Sequence, residues 1–207
     1  MTKKKKCKSK SKKALFVGGD RVFTLDVFLL SGPVREEFAK KNPVVSRTIQ
    51  IRGNQTLERL HDAIFQAFDR EEEHMYEFQV GGKRLMDRKA KTYVLPNALE
   101  PTMPWTRRPA GCVTSTSVGS LGLKVNDVFC YWFDFGDDWW HRIDVVAIEE
   151  AAPSRKYPVV TKRVGESPPQ YMIWEDEEDD DDEVENGDED GGDGEDDAED
   201  DTEGDEK

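Results

Sequence analysis

The residue types most able to do chemistry crowd one short stretch, Asp134-Phe-Gly-Asp137-Asp138-Trp-Trp-His141. Carboxylates are hard ligands for divalent cations, an imidazole supplies a metal nitrogen, and both can move protons. The stretch is also a turn by composition. Phe135-Gly136-Asp137-Asp138 stands between two aromatic, β-branched runs, and Gly and Asp accept the dihedrals of a tight hairpin. Side chains alternate between faces along the flanking strands, so only some of Asp134, His141 and the turn acids can converge. Two readings stand open. In one, Asp134, Asp137 and His141 form a metal or acid–base site. In the other, Asp134 and Asp137 accept backbone N–H bonds in the turn while Phe133, Phe135, Trp139 and Trp140 pack or cap the core. His61 among charged helix neighbours and His74 after three glutamates read as solvated, and Cys130 as a buried thiol. The patterns GxSxG, GxxxxGK[ST], HExxH and a strand-following GxGxxG are all missing, so the reactions they support lack their starting constellation.

The elements that must hold this hairpin are legible from periodicity. Arg21 to Ser31 alternates with period two and stops at Gly32-Pro33, predicting a first strand. Val44 to Gly53, rich in β-branched residues, predicts a second, with a short helical turn between them in Val34 to Asn42. From Thr56 the period changes: Leu57, Leu60, Ile64, Phe65 and Phe68 fall at helical spacing, with Thr56 as N-cap and an end near Arg70. Met75 to Val80 predicts a third strand, and Val128 to Asp134 and Trp139 to Glu149 the arms of the hairpin. The region Leu85 to Leu123, broken by Pro96, Pro101, Pro104 and Pro109, reads as a long, partly ordered insertion. The expected class is α+β, a mixed sheet with one main packed helix, resembling the β-grasp arrangement.

Charge divides the 207 residues into three parts. Residues 1 to 13 hold 8 Lys and no acid, residues 175 to 207 hold 23 acids and one Lys, and 14 to 174 hold 21 of each sign. All 5 Trp, 5 Tyr and 10 Phe lie in the neutral middle, which must therefore supply the core. The expectation is a disordered basic leader over 1–19, a folded domain over 20–174 and a disordered acidic tail over 175–207. Lys3, Lys4, Lys5 and Lys6, with Arg107 and Arg108, are the candidate contacts for nucleic-acid phosphates. No run approaches the roughly 18 apolar residues of a spanning helix, and three scattered cysteines suit a reducing compartment. A soluble cytoplasmic protein with no membrane or lipid partner is expected.

At the hairpin the sequence resembles a known family. Tyr131-Trp-Phe-Asp134-Phe-Gly136-Asp137-Asp-Trp139-Trp-His141-Arg-Ile143 is similar to the YxFDFGDxWxHxI signature of the plasmid pRiA4b Orf-three-like family, which includes TnpR-like passenger proteins of an insertion element. A second anchor is Tyr157-Pro158 through Gly165-Glu166-Ser-Pro168-Pro169-Gln-Tyr171, where Ser-Pro-Pro-Gln-Tyr replaces the Pro-Pro-Glu-Asp of many members. The resemblance covers most of Val22 to Tyr171. It implies an α+β domain associated with mobile elements and assigns no reaction. It also makes Glu166 a candidate to join Asp134, Asp137 and His141 around a divalent metal; no other cofactor is expected. The resulting expectation is a non-enzymatic interaction or accessory protein whose partner is an unknown protein or a nucleic acid. Its rivals are a nucleic-acid-associated accessory protein and a small metal-dependent enzyme using residues 134–141.

Overall fold

The computed structural model describes residues 21–82, 87, 89–100, 108–152 and 155–171. The chain divides into two units, residues 1–173 and 174–207, and the described residues all lie in the first. The leader and tail expected at 1–19 and 175–207, with Lys3 to Lys6 and Arg107, fall outside the described residues.

Among the described residues the elements run β1 (Arg21–Ser31), α1 (Glu36–Lys41), β2 (Ser46–Arg52), α2 (Leu57–Ala67), β3 (Tyr76–Val80), β4 (Lys91–Val94), β5 (Gly111–Cys112), β6 (Val128–Phe133), β7 (Trp139–Glu150) and β8 (Val159–Val164). They form one sheet in the order β5-β4-β3-β6-β7-β1-β2-β8, antiparallel except for β4 with β5. The fold is α+β, a mixed sheet with one main helix. The long strands β1 and β7 sit side by side in its middle, pairing from Arg21↔Glu150 to Ser31↔Trp140.

The core forms because both periodicities point the same way. Along β1, Phe23, Leu25 and Val27 are buried; along β6, Phe129, Tyr131 and Phe133; along β7, Trp139, His141, Ile143 and Val145. Helix α2 lays Leu57, Leu60, Ile64 and Ala67 on this face, and each fully buried aliphatic or aromatic side chain stabilises by roughly 1.5–3 kcal/mol. Thr56 caps the helix as expected, its side chain accepting from the Arg59 N–H. Phe38 of α1 packs against the same core. The opposite sheet face carries Trp132, Trp140, Arg142 and Asp144, the alternate residues of the same strands.

The expected insertion at 85–123 departs from its reading. It supplies β4, β5, a 3-10 turn at Pro96–Ala98 and another at Val118–Leu121, whose Val118 is buried in the core. The prolines stand outside β4 and β5, so they bound these short strands and do not abolish them. Strand β8 was not anticipated either. No helix among the described residues is long and apolar enough to cross a membrane.

Candidate functional site

The turn between β6 and β7 is built by the acids that could have been ligands. Asp134 and Asp138 take left-handed backbone conformations, φ 53° and 54°. The Asp138 N–H donates to the Asp134 carbonyl at 2.8 Å, and Asp134 Oδ1 accepts from the Gly136 N–H at 3.1 Å. Asp137 contributes its backbone N–H, 3.5 Å from the same oxygen. Asp138 Oδ1 accepts the Trp132 indole N–H at 2.9 Å. The other oxygen of Asp134 lies 3.5 Å from His74 Nε2.

The four proposed ligands are not gathered. His141 projects to the core side of β7, 1% exposed, with its ring edge-on to Phe68 at 4.8 Å and tilted to Tyr131 at 5.3 Å. Among the described residues neither ring nitrogen bonds another side chain; the backbone of Trp139 and of Tyr131 faces the ring and favours its protonated form. Burial, aided by the charge of Arg70, pushes its pKa down to about 3. Glu166 instead closes a salt bridge with Lys41 at 3.0 Å while its N–H donates to Asn42 Oδ1. Among the described residues no three His, Cys, Asp or Glu side chains converge as a metal site. Arg108 is exposed and paired with Glu100 at 3.2 Å.

Residues outside the sequence-predicted site surround the hairpin. His61 is 3% exposed, not solvated. Its Nε2 lies 3.0 Å from a Glu73 carboxylate, which can only accept, so Nε2 carries the proton and Nδ1 accepts the Tyr131 hydroxyl at 2.6 Å. The ring stacks on Tyr76, centroids 3.7 Å apart. Burial lowers its pKa against the opposing pull of Glu73, and raises that of Tyr131.

Helix α2 ends in a Schellman turn: Asp69 is left-handed at φ 54°, its N–H donates to the Gln66 carbonyl at 3.3 Å, and the Arg70 N–H donates to the Phe65 carbonyl at 3.1 Å. That turn delivers the Arg70 side chain inward, its Cζ 3.6 Å from the centre of the Trp139 ring. Trp139 is fully buried against the backbone of Gly32, where a Cβ would lie 2.2 Å from Trp139 Cε3.

Across this end of the helix runs a strap, residues 165–171. Arg47, buried at 2% exposure, ties it down through the Val164 carbonyl at 2.8 Å and Ser167 Oγ at 2.7 Å. Gln170 Oε1 accepts from the N–H groups of Glu71 at 2.7 Å and Glu72 at 3.0 Å, and its Nε2 donates to the Glu72 carbonyl at 2.8 Å. Tyr171 donates its hydroxyl proton to Glu72 at 3.0 Å and accepts from His74 Nε2 at 2.7 Å. Gln170 and Tyr171 are the residues where the segment departs from the resembled family, and here both make specific bonds.

No curated protein matches the chain. The crystal structure of a protein of unknown function, MM3350 from Methanosarcina mazei Go1, is similar in fold: TM-score 0.56, 20% identity, covering 72% of this chain and 73% of that one. The sequence model of the family described as "Plasmid pRiA4b ORF-3-like protein" matches residues 34–172, which take in the second strand, the packed helix, the hairpin and the strap. The chain therefore belongs to the plasmid pRiA4b ORF-3-like family.

Proposed function

We propose that the chain is a non-enzymatic interaction domain, an accessory protein associated with mobile elements. The observation that carries this reading is the commitment of the hairpin's polar groups to architecture. Asp134 shapes the turn, Asp138 holds Trp132, Glu166 is paired with Lys41, and His141 is sealed among aromatic rings. A general acid or base has to reach the proton it moves, and a metal has to be reached by several ligands at once.

The surface through which such a domain would act is the sheet face opposite α2. Trp132 stacks on Trp140 with centroids 4.7 Å apart, and Phe135, 40% exposed, lies 4.2 Å from Trp132. A groove of about 290 Å³ on the same face is lined by Phe28, Leu30, Val44, Arg142 and Asp144. Large aromatic side chains beside an apolar groove are the kind of anchors that protein interfaces use.

The test is a melting curve of the full chain with Zn²⁺, Mn²⁺ and Mg²⁺. No saturable shift is expected; a shift that disappears in His141→Ala would replace this reading with a metal site. A second reading, contact with nucleic acid, is favoured by the eight lysines of residues 1–13. It requires binding of duplex DNA or RNA that weakens steeply with salt and is lost when Lys3 to Lys6 are changed to Gln.

A further inference from the structure

The sheet face opposite α2 sets two carboxylates side by side. Asp26 of β1 and Asp144 of β7 are direct cross-strand partners, so both side chains stand on that face at adjoining positions. Like charges placed opposite one another in a sheet repel. The two acids are not served alike. Asp144 receives two nitrogens of the Arg142 guanidinium, Nε at 2.7 Å and Nη2 at 3.0 Å. Asp26 accepts the Thr48 hydroxyl on Oδ1 at 2.6 Å and, among the described residues, forms no ion pair. Lys162 belongs to the same row but stands beyond Thr48, on β8.

Beside this pair runs the groove of about 290 Å³. Phe28, two residues along β1 from Asp26, lines it together with Leu30, 48% exposed, and Val44, 49% exposed. Arg142, directly across from Phe28, and Asp144 form its other wall. An open apolar channel therefore ends against two acids that share one arginine.

The charge of the occupant follows from that arrangement. An anion arriving at Arg142 would have to break a bidentate pair and then face Asp26. A cation arriving at Asp26 breaks nothing and relieves the repulsion between the two carboxylates. An apolar group in the groove supplies affinity, and the cation fixes its register. Two residues of extended chain cover about 7 Å, the same step that separates Phe28 from Asp26 along β1. We propose that this face binds an extended segment of another protein in which an apolar side chain and a lysine or arginine stand two positions apart, the first in the groove and the second on Asp26. A phosphate backbone would meet the unneutralised Asp26 and an arginine already engaged, so nucleic acid does not fit this face. The inference rests on the reading of this face as an interaction surface and adds the chemistry of the partner.

The experiment titrates the full ¹⁵N-labelled chain with acetyl-Phe-Gly-Arg-amide, acetyl-Phe-Gly-Gly-amide and acetyl-Phe-Gly-Glu-amide, following the backbone amides of Phe28, Leu30 and Val44. The arginine peptide should shift them saturably, the uncharged peptide more weakly and the acidic one least. Asp26→Asn should weaken the arginine peptide about twofold to fivefold, the worth of a solvent-facing ion pair, and leave the uncharged peptide unchanged. Asp26→Lys should invert the order of the arginine and glutamate peptides, and Leu30→Ser should weaken all three. Equal binding of the three peptides, or an arginine-peptide affinity unmoved by Asp26→Asn, would overturn the inference while leaving the face as an interaction surface. Concentration-dependent shifts of the same amides without peptide would put a second copy of the chain there and likewise overturn the inference alone. No response to any peptide would overturn both the inference and the reading of the face. Should Asp26→Lys fail to fold, Asp26→Asn decides the matter.

Discussion

His61 has both nitrogens engaged, by the Tyr131 hydroxyl at 2.6 Å and by Glu73 at 3.0 Å. Beyond Tyr131, next to His141, Arg70 Nε and Nη2 and Trp139 Nε1 have no hydrogen-bond partner among the described residues, and the guanidinium stacks on the indole instead. Both histidines are nearly inaccessible, both lie among aromatic rings, and both are held below the ordinary imidazole pKa by burial. The difference is the acceptor: Glu73 reaches in from the surface to His61, whereas among the described residues no carboxylate pairs with Arg70, which lies over Trp139 and donates to the Pro168 carbonyl. The same chain can therefore finish a buried polar network, and the unfinished one is a property of its place at the hairpin and strap.

The largest test removes the floor of the unfinished cluster. Trp139→Ala should cost about 3–5 kcal/mol in urea unfolding, as expected for a fully buried indole; a loss below 1 kcal/mol would mean that Trp139 does not organise that region. The next separates the histidines by pH. An unfolded His141 takes a proton near pH 6.5, and the folded one only near about 3. Its contribution is thus complete above pH 6.5 and declines as the pH falls toward 3, by roughly 2–3 kcal/mol at about pH 4.5. His141→Phe should flatten that acid decline, measured as the change in urea midpoint between pH 7 and 4.5. Tyr131→Phe, on the finished side, strands His61 Nδ1 and should cost about 2 kcal/mol. Arg70→Met should cost less than about 1 kcal/mol, since the lost stacking on Trp139 and the bond to the Pro168 carbonyl are offset by no longer burying a charge. If it costs more than Tyr131→Phe, the contrast between the two clusters is wrong.

Legibility in the sequence followed the strength of local pattern. Strand β1 could be bounded to the residue because alternation and Gly32-Pro33 act together, and α2 because Thr56 and its apolar stripe agree. The hairpin was visible because Gly136 and its acids have few other uses. Strand β5 has two residues, and β8 has its Thr161, Lys162 and Arg163 all exposed, so neither shows the one-sided burial that alternation detects. The site was half visible. His141 and the turn acids were singled out, but Arg70 sits in Asp69-Arg-Glu-Glu-Glu-His74, a run that reads as solvated. Its burial arises from the Schellman turn and from a strap almost one hundred residues away, neither of which is a local property.

The eight-stranded sheet ends in two borders with little room for a stranger's backbone. One is the two-residue β5; the other is β8, where Lys162 is exposed while Arg163, on the other face, is held by the Ala67 carbonyl and Asp69. A foreign strand adding to β8 would have to desolvate or neutralise the Lys162 cation. Templated growth into fibrils is thereby discouraged at both margins, leaving so wide a sheet able to persist at high concentration without seeding its own aggregation.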